Sequence, residues 1–401
     1  MTDATWITGV GVGVPHGWSF DEVMDGLLAG RSAVRTVRGF DVTDYPSTVA
    51  AELGDTPRPP DIGEEFATWT RLEQLAVWCA ATALRDAALW ERRTELRIGL
   101  VLGTAGEGPW FWEEDSRANP TGVPCGRDRR PLTPFVAGVL DVSGPTITLS
   151  TACATGNFAL SQARRWLQLG WCDVCLAGAC DRSVSPLVLA SFGNLRAVSR
   201  RNDDPVGASR PFDRGRDGFV LGEGGTVFVL EPSNAARARG ARVYGELAAV
   251  GLTSDAYHPV VPNPDPAQAA AAVRKALAEA GVNAADVDYV NAHGTGTPVG
   301  DVAEAVGLRQ VFGEHWRRVP VSATKSMTGH PITAASALEA LACLGAMARG
   351  AIPPTINLTD PDPACELCHV PHAAREARVR VAVSNSFGFG GSNSCTVLRT
   401  V

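Results

Sequence analysis

The sequence predicts an α/β fold whose central sheets are covered on both faces, and three observations predict it. Short apolar runs rich in Val, Ile and Leu alternate with stretches of helical periodicity. Runs such as Arg97-Ile-Gly-Leu-Val-Leu-Gly103 are apolar throughout, as strands buried on two sides are. The second half repeats the style of the first, which suggests a duplicated unit of two halves, 1–240 and 241–401.

Bulk composition narrows the function classes. The chain has 401 residues, enough for a large core, with 45% hydrophobic and 20% charged residues. Lys+Arg is 36 against Asp+Glu 43, a net charge of -7, with no Lys/Arg tract. That disfavours nucleic acid and leaves room for a local basic patch facing an acidic protein partner. The start, Met-Thr-Asp-Ala-Thr-Trp-Ile, lacks a basic segment followed by an apolar one, and no apolar run reads as long enough to span a bilayer. The expected location is the cytoplasm, with the ten cysteines mostly reduced.

Taken in order, Trp6-Ile-Thr-Gly-Val-Gly-Val-Gly-Val-Pro15 reads as a strand running into a glycine-rich turn. Gly9-Val-Gly11-Val-Gly13 has the wrong spacing for a dinucleotide loop, and no acidic residue follows a second strand. Phe20 to Gly30 and Phe66 to Leu89 read as helices, and Arg97 to Gly103 as a strand. Trp110, Phe111 and Trp112 stand in a polar loop, as a lid or as an anchor onto the body. Pro145 to Leu149 is short, β-branched and apolar and reads as a buried strand, and Asn157 to Leu167 as a helix. Val174 to Gly178, ending in Cys180-Asp181, reads as a strand. Phe219 to Leu230 leads into another, followed by a helical connector from Ala235 to Gly240. In the second half, helices are expected at Ala267–Ala280 and Ile332–Arg349. Strands are expected at 287–290, 319–322 and 379–383.

Between the strand expected at Pro145 to Leu149 and the helix expected at Asn157 to Leu167 lies Ser150-Thr151-Ala152-Cys153-Ala154-Thr155-Gly156. Cys153 is expected at a strand-to-helix turn, where free N–H groups and the helix dipole favour thiolate, the nucleophilic form. A small buried core cysteine has the same local signature. Three further turns share the form. Asn291-Ala-His293-Gly-Thr295-Gly-Thr297 puts an imidazole at a strand end. Ser322-Ala-Thr-Lys325-Ser-Met-Thr-Gly-His330 puts a lysine and a second imidazole five residues apart. Ser384-Asn-Ser-Phe-Gly388-Phe389-Gly390-Gly391-Ser392 is a glycine-rich turn with two phenylalanines. Ligand sites in α/β folds gather at strand carboxyl ends. One cysteine, two histidines and a lysine at such ends make a coherent acyl-transfer site.

These four turns resemble the elongating Cys-His-His condensing enzymes, the β-ketoacyl-[acyl-carrier-protein] synthases, with synthase II and type II polyketide ketosynthases nearest in wording. The motifs stand here as Thr151-Ala-Cys153, His293-Gly-Thr295, Lys325-Ser-Met-Thr-Gly-His330 and Gly388-Phe389-Gly390-Gly391, and the resemblance runs from about Trp6 to Leu398. It implies a thiolase-like, duplicated αβαβα layered fold, with Cys153 in the N-terminal half and His293, Lys325 and His330 in the C-terminal half. It implies that Cys153 takes an acyl chain, with Cys153 and Phe389 N–H groups as the oxyanion hole and Phe389, between Gly388 and Gly390, as a gate. His293 and His330 would stabilise the enolate left when a malonyl extender loses CO2. Lys325 would order the site by pairing with Glu304, and Thr295 and Thr297 would contact the pantetheine arm.

The same resemblance implies no bound cofactor or metal. Substrates would be carried on the phosphopantetheine of an acyl carrier protein. The assembly would be a homodimer, or a heterodimer with a chain-length-factor-like subunit. Two alternatives stay beside it: acyl transfer without decarboxylation, disfavoured by His293, His330 and Lys325, and a non-catalytic partner subunit, disfavoured by Cys153. Three features depart or distract. The 130–144 segment is shorter than the family's, which bears on pocket shape and subunit pairing. Pro331-Ile332-Thr333 replaces the family's apolar-and-glycine run, and Gly106 stands near a pocket position that relatives fill with a bulky residue. Cys365-Glu-Leu-Cys368-His369 matches a haem-attachment pattern, but without an export signal or further ligands it reads as structural.

Overall fold

The computed structural model describes residues 3–105, 113 and 130–401. The Trp110-Phe111-Trp112 loop and Gly106 therefore lie outside the described residues. Strands of the main sheet and helices of nine or more residues are numbered below. In the first half the strands are β1 (Thr5–Gly13), β2 (Ile98–Gly103), β3 (Thr146–Leu149), β4 (Val174–Asp181) and β5 (Gly224–Pro232). The second half supplies β6 (Gly245–Ser254), β7 (Tyr289–Asn291), β8 (Pro320–Ser322), β9 (Cys368–His369), β10 (Val381–Gly388) and β11 (Ser392–Arg399). The helices are α1 (Phe20–Leu28), α2 (Arg71–Asp86), α3 (Leu132–Leu140), α4 (Thr155–Gln168), α5 (Pro186–Asn194), α6 (Ala267–Ala280), α7 (Pro298–Phe312) and α8 (Ala335–Arg349).

All eleven strands hydrogen-bond in the order β9-β8-β7-β10-β11-β6-β1-β5-β4-β2-β3. The first- and second-half sheets meet where β1 pairs with β6 at only two positions, Trp6 with Glu246 and Ile7 with Gly245. Side chains alternate between two cores along each strand. In β5, Val227 and Val229 face one core while Phe228 and Leu230 face the other. In β10 and β11, Val383 and Val397 face an outer core while Ala382 and Leu398 face the central one. The central core is filled by α4 and α8, the first outer core by α2 and α3, and the second by α6 and α7. The result is the five-layered αβαβα arrangement of the thiolase-like fold.

Several expectations change. Gly9, Gly11 and Gly13 belong to β1 itself rather than to a turn. A Cβ on Gly11 would lie 1.8 Å from the Cys79 carbonyl oxygen, so these glycines let α2 lie directly on the strand. The segment expected as one helix from Phe66 to Leu89 is a 3-10 turn (Glu64–Thr68) and then α2, restarted by a capping box between Thr70 and Glu73. The strand expected across 219–230 is interrupted at Glu223, and β5 begins only at Gly224. β3 is not buried: it is the sheet's edge strand, with Thr146, Ile147 and Thr148 exposed. The short 130–144 segment still forms α3. Contrary to the sequence reading, Ile332–Arg349 is long and apolar enough to cross a membrane, at mean hydropathy 1.3, yet 83% of it is buried in the central layer.

Candidate active site

Each motif follows the carboxyl end of a strand in a parallel pairing. β3 runs parallel to β2 and leads to Cys153, β7 and β8 run parallel and lead to His293 and Lys325, and β10, parallel to β7, leads to Phe389. The two halves thereby deliver their polar turns to one place.

The nucleophile turn is held tightly. Thr151 N–H donates to Thr155 Oγ1 at 2.8 Å, and Thr155 Oγ1 donates to Ala152 O at 2.6 Å. Ala152 is thereby set at φ +49°, a region that residues with a Cβ seldom occupy. The end of β10 leans against this turn: a Cβ on Gly388 would lie 2.7 Å from Thr151 O. Only glycine permits that approach, and it brings the Phe389 N–H toward the Cys153 sulfur. Ser386 Oγ donates to Cys153 O at 2.8 Å and fixes the other side.

Cys153 Sγ lies 3.0 Å from His330 Nε2. The His293 ring stands edge-on to His330 at 5.7 Å between centroids. All three side chains are buried. Burial pushes the Cys153 thiol up to about 11, against the pull of Lys325 and of the Phe389 and Cys153 N–H groups. The expectation of a resting thiolate is corrected here: the sulfur sits two residues ahead of α4, and desolvation outweighs the helix terminus. Burial also holds both imidazoles well below their usual range, reinforced by the Lys325 charge beside them.

Lys325 Nζ donates to His293 O at 2.6 Å and faces His293 Nδ1 at 3.2 Å. An ammonium can only donate, so Nδ1 is the acceptor and the His293 proton sits on Nε2, toward the cavity. The expected Lys325–Glu304 pair does not form. The carboxylate on Lys325 is Glu339 of α8, which is equally buried. Glu304, on α7, accepts instead from the N–H groups of His293 and Gly294, each at 2.8 Å, and from Asn385 Nδ2 at 3.3 Å. It orders the histidine turn through backbone rather than through the lysine.

Two results follow. Glu339→Leu leaves the buried Lys325 ammonium without its counter-charge, and denaturant unfolding should report a loss of about 3–5 kcal/mol. An unchanged midpoint would contradict the pairing. For Glu304, burial raises the carboxyl from the ordinary 4.5 to about 7. The folded chain therefore holds this proton across that window while the unfolded chain has lost it. Its stabilising share is present below the unfolded value and lost as pH rises through about 7. In Glu304→Gln that share of the pH dependence should vanish, so the melting point of the wild type should fall relative to that of the variant as pH rises across the window. A pH-independent gap would refute it.

A cavity of about 330 Å³ opens from these groups to the surface. Thr295 and Thr297 line it, with hydroxyls 3.1 Å apart. Phe389 forms one wall, its ring 6.0 Å from Phe192, which contacts Phe219 at 5.3 Å; Phe219 in turn meets His330 at 5.3 Å. Phe192, Phe219, Ser386 and Glu339 were not singled out from sequence, because nothing local marks them. Donor atoms of Cys153, His293 and His330 all lie within 4.8 Å of one another, the one such metal-sized cluster among the described residues. The same placement, with the Cys153 sulfur 3.0 Å from His330 Nε2, is the one that proton transfer from thiol to imidazole needs. Cys365, Cys368 and His369 form no such cluster; His369 Nε2 instead faces Cys365 O at 2.9 Å.

The chain matches two family profiles, "Beta-ketoacyl synthase, N-terminal domain" over residues 3–236 and "Beta-ketoacyl synthase, C-terminal domain" over residues 244–359. It is 38% identical to a 3-oxoacyl-[acyl-carrier-protein] synthase 2 of Coxiella burnetii, covering 98% of each chain. It is 40% identical to the tetracenomycin polyketide synthase ketoacyl synthase alpha subunit of Streptomyces glaucescens, covering 98% of this chain and 96% of that one. Among solved structures, the ishigamide ketosynthase/chain length factor superposes with a TM-score of 0.90 at 33% identity, over the full length of both chains. A type II polyketide acyl-carrier protein in complex with its ketosynthase bound to the hexaketide also gives 0.90, at 29% identity and full coverage of both.

Proposed function

Because the chain belongs to the β-ketoacyl synthase family, we propose that it performs decarboxylative condensation of a Cys153-bound acyl chain with a malonyl extender. The observation that carries this reading is one cavity, open to the surface, onto which converge a buried cysteine, two buried imidazoles held well below their usual range, and two backbone N–H groups. The substrates are thioesters on the phosphopantetheine of an acyl carrier protein, and the chain needs no resident cofactor for this chemistry.

In the acylation step, Cys153 Sγ attacks the thioester carbonyl as its proton passes to His330 Nε2. The oxyanion is held by the N–H groups of Cys153 and Phe389. The tetrahedral adduct expels the pantetheine thiolate, which takes up a proton from solvent, while His330 keeps the sulfur's proton on Nε2. The Phe389 side chain, flanked by Gly388 and Gly390, gates the cavity for the extender, whose arm runs past Thr295 and Thr297. The malonyl C–C bond then breaks, CO2 departs, and the electron pair forms an enolate. His293 Nε2–H and His330 Nε2–H hydrogen-bond its oxygen. The enolate carbon attacks the Cys153 thioester and releases the sulfur, which recovers the proton from His330 Nε2, leaving a β-ketoacyl thioester on the carrier. Lys325 keeps His293 in the required tautomer, while Glu339 and Glu304 order the lysine and the histidine turn.

Further parts of the reading are supported more indirectly. The junction of the two profiles, between residues 236 and 244, supports a division into two halves, 1–240 and 241–401. The exposed edge of β3 supports pairing with a second copy or with a chain-length-factor-like subunit. A cytoplasmic location fits a carrier-protein pathway. The test is mass spectrometry of carrier protein after the acyl-primed chain meets malonyl-carrier protein. A β-ketoacyl product two carbons longer supports the reading, and return of unextended acyl groups to an alcohol or amine acceptor would replace it with simple acyl transfer.

A further inference from the structure

The turn from His330 into α8 carries Pro331-Ile332-Thr333, and Ile332 adopts φ +38°. A β-branched side chain in this region is strained, and such strain persists only where the surroundings impose it. On one side, His330 N–H donates to Val220 O at 2.7 Å and Gly222 N–H donates to His330 O at 3.0 Å, which clamps the residue before the turn. On the other side stands Asp181, at the end of β4 and fully buried. Thr333 N–H and Thr333 Oγ1 both donate to Asp181 Oδ2, at 3.1 and 2.5 Å, and Ser183 Oγ donates to Oδ1. Ile332 is pinned between the two clamps. Its side chain lines the cavity beside Cys153 and His330, within the apolar cluster against which Phe192 and Phe389 rest.

We propose that Asp181 and Thr333 are positioning residues that hold Ile332 as the inner wall of the cavity and thereby limit the bulk of the acyl group Cys153 accepts. Neither touches the cavity; they act through the backbone of the turn. Without the Thr333 hydroxyl, the strained residue relaxes and the wall recedes, so bulky chains gain relative to small ones. This inference rests on the condensing-enzyme reading.

The experiment follows Cys153 acylation by intact mass, with S-hexanoyl- and S-dodecanoyl-pantetheine as donors. It uses the wild type, Thr333→Val, Thr333→Ser, Asp181→Asn and Ile332→Ala. The dodecanoyl-to-hexanoyl rate ratio should rise about five-fold or more in Thr333→Val and Asp181→Asn, and stay within about two-fold of wild type in Thr333→Ser. Ile332→Ala, which trims the wall with the clamp intact, should raise the ratio too and serves if the valine variant fails to fold. Equal loss for both donors, with a lower melting point, would mean a purely structural role and overturn the inference while sparing the proposed function. No adduct on wild type from either donor would overturn both.

Discussion

Cys153→Ala abolishes the acyl adduct and lowers condensation by about 10⁴-fold or more, the scale on which loss of a nucleophile is felt. The sulfur is the reacting atom, and no other nucleophile lies at hydrogen-bond distance from His330 Nε2 among the described contacts. Intact-mass analysis after incubation with an acyl-carrier protein checks it. The wild type gains the acyl mass, and the variant does not. An adduct of equal yield on the variant would show that acyl transfer uses another residue. Because Ala removes only a buried thiol, the variant should keep the fold, so a lost adduct reports chemistry.

His293→Ala separates the two half-reactions. Its ring meets His330 edge-on but the Cys153 sulfur is hydrogen-bonded to His330, so the alanine variant should still accept an acyl group. The enolate, however, loses one of its two donors. Removing one preorganised donor of this type costs about 10²–10³-fold in rate. CO2 release from malonyl-carrier protein should fall by that factor while the acyl adduct still forms. Loss of both together would mean that His293 serves the first step, or that the site has collapsed.

Much of this site was legible because its chemistry sits in four short turns. Cysteine, histidine and lysine beside glycine and threonine stand out locally, and the strand ends they follow are predictable from apolar runs. What stayed hidden depends on partners far apart in the chain. Lys325 has acidic residues on either side in sequence, and only the packing of α8 in the central layer decides that Glu339, not Glu304, reaches it. The protonation state of Cys153 likewise follows from how deeply the turn is buried, which local sequence does not state. Thr-Ile-Thr-Leu reads as an interior strand, yet its place at the sheet edge exposes it. β6 and β11 were missed because Gly, Ala and Ser carry little strand signal, although both lie inside the sheet. Gly9, Gly11 and Gly13 misled in the other direction, since a close helix needs the same residue as a turn.

The most direct test of the central claim is the CO2 balance. The acyl-primed chain is mixed with malonyl-carrier protein labelled in the free carboxylate, and released CO2 is counted against β-ketoacyl thioester formed. The account predicts one CO2 for each condensation product, with both lost in a His293→Ala, His330→Ala double variant that still folds. Acyl groups leaving Cys153 for an acceptor with the label retained on the malonyl carrier would contradict it.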